Sequence, residues 1–299
     1  MKSFIVKYRH IWYTISAVVL LTSLLGVGAY GLKQGIDFTG GSILAMRFEQ
    51  RPSITDTDAA LRNAVTDLGA VVIQPAGEND IQIRTRALNE DEHSAVLAAF
   101  SQSFGTSTEL RFDAIGPVIG KELREKSLQG LLVTLVLILL YVACACRKVS
   151  GSVKSWQYGA VTIAAAFHDI IVPVGVFAFL GHFYGVEVGT PFVAAILTIL
   201  GYSITDTIVV LDRVRENMQK RDGTFAEIVE ISIQQTLLRS FNTSVTTLLA
   251  LVAIYLFGGA TLRDFTLTLI IGISVGTYSS IFIASPLLVT MDKWSRAKK

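Results

Sequence analysis

The sequence predicts an all-α membrane bundle of six spanning helices, with one α+β domain inserted between the first two. Three observations predict it. Six stretches are long and apolar enough to cross a bilayer, which takes about 20 residues each. Positive charge clusters in every second connection. One long segment between the first two stretches has the composition of a water-soluble domain. The averages over all 299 residues blend these parts: 51% are hydrophobic, 17% are charged and the mean hydropathy is +0.52. Soluble domains carry about 25% charged residues. A net charge of only +2 argues against a nucleic-acid partner and against intrinsic disorder. Cys144 and Cys146 are too close for an ordinary disulfide and lack the companions of a zinc site.

The spans fall at about 11–32, 127–146, 157–181, 191–211, 236–257 and 265–290. The clearest is 128–146, LQGLLVTLVLILLYVACAC, which has no charge. The first resembles a signal peptide in its basic start, but its apolar run exceeds the ~7–15 residues of a signal core. It is therefore read as a span. Lys2, Lys7 and Arg9 precede it, and Arg147, Lys148 and Lys154 lie between the second and third spans. Arg213, Arg215, Lys220 and Arg221 lie between the fourth and fifth, and Lys293, Arg296, Lys298 and Lys299 lie near the C-terminal end. The opposite short loops, 182–190 and 258–264, hold only Arg263. Both termini are predicted to be cytoplasmic, with 33–126 extracytoplasmic. The chain then divides into 1–32, 33–126 and 127–299.

Within the insertion, 42–49 reads as a strand. Residues 56–68 carry Ala60, Leu61, Ala64, Val65 and Leu68 at helical spacing, with Thr55 or Asp56 as cap and Gly69 as stop. Residues 70–74 and 81–85 read as strands joined by a Gly-Glu-Asn-Asp turn. Residues 89–104 read as a helix capped by Asn89, with Gly105 behind it, and 107–114 as a last strand. The order βαββαβ is that of the ferredoxin-like split motif. His93, among Glu90, Asp91 and Glu92, reads as part of a solvated helix start rather than a metal site. No nucleophile–base pair, phosphate loop or zinc spacing appears, so no enzyme, cofactor or metal is predicted. Residues 33–126 hold 10 Lys/Arg and 14 Asp/Glu, a net of −4, and the remainder holds 16 and 10, a net of +6.

The informative residues are the ionisable ones at membrane depth, which are costly and therefore functional candidates. These are His168 and Asp169 in the third span, Asp206 in the fourth and Arg239 in the fifth. At 1.5 Å per residue, Asp169 lies roughly 18 Å from the cytoplasmic end of its span. Asp206 lies roughly 22 Å from the outer end of its own, level with Arg239, so the two could pair. Tyr202, Ser203 and Thr207 share a face with Asp206, Gly201 offers room for a close helix approach, and Thr243, Ser244, Thr246 and Thr247 add hydroxyls. Asp212, Arg213, Arg215 and Glu216 read as an interfacial charge run. A carboxyl without a cation in a low-dielectric site can take and release a proton near neutrality. The plainer reading is that an Asp–Arg pair only locks two helices together.

Several short motifs stand in order along the chain: Gly35-Ile36-Asp37-Phe38-Thr39-Gly40-Gly41 after the first span, and Gly116-Pro117-Val118-Ile119-Gly120-Lys121-Glu122-Leu123 before the second. His168-Asp169, Gly201-Tyr202-Ser203-Ile204-Thr205-Asp206-Thr207 with Asp212-Arg213, Gln235-Thr236-Leu237 with Arg239, and Gly276-Thr277-Tyr278-Ser279-Ser280-Ile281-Phe282 mark the later spans. Together they resemble the SecF family of protein-export membrane proteins, in the SecD/SecF group related to resistance-nodulation-division transporters. The resemblance covers nearly the whole chain. Thr205 stands where the family often has Asn, and Ile119 where Val is usual; neither change removes an ionisable group.

The resemblance implies a partner, SecD, and often YajC. It implies work beside SecYEG on unfolded preproteins after SecA has pushed, driven by a proton or sodium motive force. It assigns ion coupling to the residues at Asp206 and Arg239, and less directly to Asp169. Two alternatives stay open from the sequence, a passive scaffold of the translocon and a small-molecule exporter of the related superfamily. The small insertion weighs against the exporter.

Overall fold

A computed structural model describes residues 4–145 and 155–297. Cys146, Arg147, Lys148 and Lys154 lie outside the described residues, as do Lys2, Lys298 and Lys299. The chain forms two compact units, one of Gln34–Leu128 and one of Met1–Lys33 with Gln129–Lys299.

The helical unit begins with α1 (Arg9–Tyr30). The inserted unit follows as α2 (Ile36–Thr39), β1 (Gly41–Phe48), α3 (Ile54–Ala64), β2 (Val72–Ala76), β3 (Asp80–Thr85), α4 (Glu90–Phe104) and β4 (Ser107–Ile115). Its strands form one antiparallel sheet in the order β2-β3-β1-β4. Alternation on the central strands sends Leu44, Met46, Phe48, Ile81 and Ile83 to one face. They pack there with Leu61 of α3 and with Val96 and Phe100 of α4. Burying each such side chain contributes about 1.5–3 kcal/mol. A bulge between Ala45 and Met46 shifts the register against β4.

Three local expectations are corrected here. The cap of α3 is Ser53, whose hydroxyl accepts the Asp56 N–H, rather than Thr55 or Asp56. The helix ends at Ala64 rather than at Gly69, because Val65 is already extended (φ −136°, ψ 123°). Val65 and Leu68 still reach the core from the loop. His93 is buried rather than solvated: its ring stacks on Phe112 at 3.7 Å, and Nε2 lies 3.1 Å from Glu109 Oε2.

The Asn89 cap forms the full reciprocal box with Glu92. The Arg86 guanidinium, bonded to Glu92, and the Asn89 amide together hold the Glu92 carboxyl down at about 2, against its ordinary 4.5. A depressed folded value means the contribution is complete above the unfolded value and is lost as pH falls. Protection of α4 amides in the whole protein, corrected for intrinsic exchange, is therefore expected to decline between pH 4.5 and about 2. Glu92→Gln is expected to lower protection at neutral pH and to flatten that decline; an unchanged decline would refute the assignment.

The double glycine has a geometric cause. Gly40 has φ +73° and Gly41 φ +128°, where other residues are strained. A Cβ on Gly40 would lie 2.8 Å from Pro117 Cα, and one on Gly120 would lie 2.8 Å from Gly40 N. The backbones before and after the domain thus meet where a side chain would separate them.

The helical unit continues with the part of α5 (Pro117–Ala145) beyond Leu128, and with α6 (Ser155–Tyr184), α7 (Thr190–Lys220), α8 (Phe225–Phe257), α9 (Ala260–Ser279) and α10 (Ser285–Ala297). A π-helical turn, Ser280–Ala284, joins the last two into one span. Among the described residues, six helical spans are therefore long and apolar enough to cross a membrane. Several helices outrun the predicted apolar stretches. Helix α7 extends through the charge run to Lys220, where Arg213–Glu216 and Glu216–Lys220 pair at helical spacing.

Small residues set the helix contacts. A Cβ on Gly272 would fall 2.1 Å from Ile199 Cδ1, and one on Gly175 would fall 2.3 Å from Ser23 Cβ. Gly201 plays no such part, since it is exposed and a Cβ there would meet open space. Gly272→Ala is expected to lower the melting temperature of the detergent-solubilised protein by about 3–10 °C. Adding Ile199→Ala is expected to restore most of that loss, and no loss in the single variant would refute the α7–α9 packing.

The segment before α1 is fastened by a residue that no sequence pattern singles out. Glu230 of α8 is 4% exposed, and its carboxylate accepts the N–H groups of Phe4 (3.1 Å), Ile5 (3.3 Å) and Val6 (2.8 Å). Ile5 and Val6 thereby join an apolar cluster with Tyr158, Val210 and Val229.

Candidate functional site

The buried polar centre of the bundle lies between two apolar clusters. On α6, Val161 and Ala165 precede Asp169 in one cluster, and Phe177 follows it in the other. On α7, Ile196 and Ile199 precede Asp206 in the second cluster, and Val210 and Val214 follow it in the first. Two carboxyl groups thus sit in a thin polar layer with greasy packing on both sides.

Asp169 is wholly buried. Its Oδ2 accepts the hydroxyls of Ser203 from α7 and Ser279 from α9, the latter at 2.6 Å. Its Oδ1 lies 2.9 Å from His168 Nδ1. Asp206 is half-buried. Its Oδ1 accepts Ser240 of α8 at 2.5 Å, and its Oδ2 accepts Ser280. Ser203 and Asp206 stand three residues apart on one face of α7, so that helix joins both carboxyls.

The sixth span serves both carboxyls through consecutive residues. Ser279 turns to α6 and Ser280 to α7, as the ~100° step between helical neighbours allows. The π-turn begins at Ser280, whose carbonyl accepts the Ser285 hydroxyl at 2.9 Å. Such turns break helical regularity and recur at functional sites. A second hydroxyl chain runs beside this layer. Thr277 gives its proton to the Ile273 carbonyl (2.8 Å), so Ser244 donates to Thr277 (2.5 Å) and Tyr202 donates to Ser244 (3.2 Å).

The pairing of Asp206 with Arg239 that a shared level would allow is not made. Arg239 is exposed, and among the described residues it forms no ion pair with Asp206. Its neighbour Ser240 takes that place. Arg239 instead lines a cavity of about 290 Å³ with Asp212, Arg213, Glu216, Gln235 and Thr236. There Arg213 Nε donates to Gln235 (2.6 Å), and Asp212 lies 3.6 Å from Arg215. The expected depth is right, because Ser240 is adjacent to Arg239, but the helix presents the serine. The sequence points to Ser203 as a neighbour of Asp206 and holds Ser279 and Ser280 within a motif. It does not single out Ser240; a hydroxyl at a carboxylate's depth is the one available signal. Of the motif residues before the second span, Asp37 lies on α2, Pro117 opens α5 and Gly116 borders open space. Among the described residues there is no cluster able to hold a metal ion.

The fold and this layer define a class: a multi-span membrane protein that keeps carboxyl groups at the centre of its bundle. A family profile described as protein export membrane protein SecD/SecF, C-terminal, matches residues 95–294, and one described as the SecD/SecF GG motif matches residues 26–50. The chain belongs to the SecD/SecF family of protein export membrane proteins. It is 40% identical over 301 residues to a protein translocase subunit SecF of Thermobaculum terrenum, covering 96% of this chain and 93% of that one. It is 37% identical over 299 residues to the protein translocase subunit SecDF of Thermus thermophilus, covering 96% of this chain but 38% of that longer one. The crystal structure of SecDF, a translocon-associated membrane protein of that organism, superposes with a TM-score of 0.79 at 35% identity, over 96% of this chain and 38% of that one.

Proposed function

We propose that this chain is the SecF-type half of an ion-driven accessory motor of the Sec translocase. It works with SecD to promote late steps of preprotein export, using a proton or sodium motive force. The observation that carries this reading is the pair of carboxyls on neighbouring spans. Among the described residues each is held by hydroxyls, with His168 beside one, and neither is neutralised by Lys or Arg. A carboxylate satisfied by neutral donors alone keeps its charge to exchange, with a proton or a bound cation. Flanking apolar clusters keep that exchange from becoming a leak.

Arg239, one residue from Ser240, supplies counter-charge to Asp206 when a rotation of α8 replaces the serine with the guanidinium. Asp37, Gly40, Gly41, Gly116 and Pro117 shape the chain where it enters and leaves the sheet of the insertion. The insertion is a ferredoxin-like domain, a reading the strand order β2-β3-β1-β4 supports, and it stands on the outer side of the bacterial inner membrane. It faces the emerging preprotein or SecD, with SecYEG, YajC and, indirectly, SecA as the surrounding machinery. No covalent chemistry is part of this role. The match to 38% of the length of SecDF favours a half that functions with a second half.

The reading is tested by reconstituting this chain with SecD and SecYEG in vesicles and following release of a trapped preprotein. Release is expected to accelerate under an imposed proton or sodium gradient and to stop with the matching ionophore. Release indifferent to both gradients, with the complex intact, would leave a passive scaffold.

A further inference from the structure

The two serines that hold Asp206 are carried by α8 and by the π-turn, and a short segment of chain touches both carriers. Residues 4–8 precede α1 as a strap of turns, closed by the Tyr8 N–H on the Phe4 carbonyl (3.2 Å). Glu230 of α8 fastens this strap. Its Oε1 accepts the N–H groups of Phe4 and Ile5, and its Oε2 accepts that of Val6. Gln234, one turn further along α8, donates to the same Oε1 at 3.1 Å. An aromatic file leads from the strap to the other carrier. Phe4 meets Tyr8 and Trp12 edge-on, with ring centres 5.3 and 6.4 Å apart, and Trp12 lies 4.6 Å from Phe282. Phe282 belongs to the π-turn that begins at Ser280.

Glu230 is remote from Asp206 itself, since it stands ten residues, about 15 Å of helix, before Ser240. Its influence is on direction. A carboxylate that is 4% exposed is costly unless donors satisfy it, and here three of the donors are backbone groups of the strap. Apolar contacts are non-directional, whereas these charge-assisted bonds fix the angle of α8 about its own axis. Helix α8 is continuous from Phe225 to Phe257, so the angle held at Glu230 is also held at Ser240. Exchanging Ser240 for its neighbour Arg239 takes a turn of about 100°. At the ~5–6 Å radius of a helix with its side chains, that turn carries the Glu230 carboxylate roughly 8 Å, beyond hydrogen-bond reach of the strap. The strap bonds and an Arg239–Asp206 pair are therefore mutually exclusive.

We propose that Glu230 is a positioning residue for ion coupling, a latch that keeps Ser240 on Asp206 until the strap lifts. With the strap fastened, Asp206 is held by serine hydroxyls and is free to exchange its ion. With the strap lifted, α8 turns and the Arg239 guanidinium neutralises the carboxylate. Through Trp12 and Phe282 the strap also steadies the π-turn that carries Ser280. The latch rests on the reading above, that a turn of α8 brings Arg239 to Asp206. It adds the residue and the segment that govern when this happens.

The test is infrared difference spectroscopy of the complex reconstituted with SecD and SecYEG, stepped in pH and in sodium concentration. The Asp206 carboxyl band is identified by its loss in Asp206→Asn. Glu230→Ala is expected to free the strap, lowering the hydrogen-exchange protection of amides 4–6 by about 10-fold or more, the factor that one net hydrogen bond supplies. In the same variant the Asp206 band is expected to stop responding to the ion steps. Adding Arg239→Gln should bring that response back. General loosening of the bundle would not be repaired by a substitution at Arg239, so the recovered band separates a latch from a merely structural contact. Glu230→Gln keeps the shape and one acceptor oxygen, and is expected to fall between wild type and Glu230→Ala in both readouts. It carries the test if the alanine variant fails to accumulate. Unchanged protection of amides 4–6 would overturn the latch. So would an Asp206 band that still responds once the strap is free, or one that stays silent after Arg239→Gln is added. A wild-type complex with no responsive Asp206 band would overturn the ion-coupling reading first, and the latch with it.

Discussion

Asp206→Asn is expected to abolish gradient-driven preprotein release while leaving the protein folded and bound to its partner. The asparagine carbonyl can accept one of the two serine hydroxyls, and its amide can donate to the other, so Ser240 and Ser280 both keep a partner. What the substitution removes is the ability to change charge. One charge moved through 100 mV contributes about 2.3 kcal/mol, roughly 50-fold in an equilibrium. Release under a gradient should therefore fall to the rate seen without one. Melting in detergent and co-purification with SecD should stay at wild-type values. Loss of assembly with residual coupling would mean instead that Asp206 is a fastening between helices.

Asp169→Ala is expected to fail in a different way. Asp169 is the acceptor for Ser203 and Ser279 and the companion of His168, in a site with no exposure. Truncation leaves three polar groups around a void. Each buried group left without a partner costs about 1–3 kcal/mol. Ser279 already shares its proton with the Gly276 carbonyl at 3.1 Å, which limits its share of the loss. A total of about 3–5 kcal/mol is expected, enough to deplete the protein from membranes. Asp169→Asn, which keeps an acceptor, should accumulate normally yet lose coupling. Immunoblots of membranes and detergent melting curves separate the two variants. An alanine variant as stable as wild type would contradict the packing of this site.

The six spans were legible because an apolar run of that length, left in water, would expose more greasy surface than a soluble fold tolerates. Their ends were not, because a helix can continue into water on side-chain ion pairs, as α7 does through Arg213, Glu216 and Lys220. The strand and helix order of the insertion was legible from alternation and caps, and the Asn89 cap was found where expected. His93 was misread because its acidic neighbours looked solvated, whereas helical geometry turns His93 alone toward Phe112.

At the site, depth was legible and direction was not. Counting residues gives height along a helix at 1.5 Å each, but one residue is also a rotation of ~100°. That rotation is the difference between Arg239 and Ser240 as the partner of Asp206. The serines were harder still. Hydroxyls at membrane depth usually bond back to their own helix, as Thr162 does to Tyr158 and Thr205 to Gly201. Nothing in the sequence distinguishes those from Ser240. The hold of Glu230 on Phe4, Ile5 and Val6 spans more than 200 residues and leaves no local trace.

Ion coupling requires that Asp169 and Asp206 change their protonation or cation occupancy inside the folded bundle. Infrared difference spectroscopy of the reconstituted complex, stepped in pH and then in sodium concentration, reads carboxyl stretching bands directly. Two responsive carboxyl bands are expected, one removed by Asp169→Asn and the other by Asp206→Asn. Bands that respond to ions yet survive both substitutions, or no responsive band at all, would contradict it.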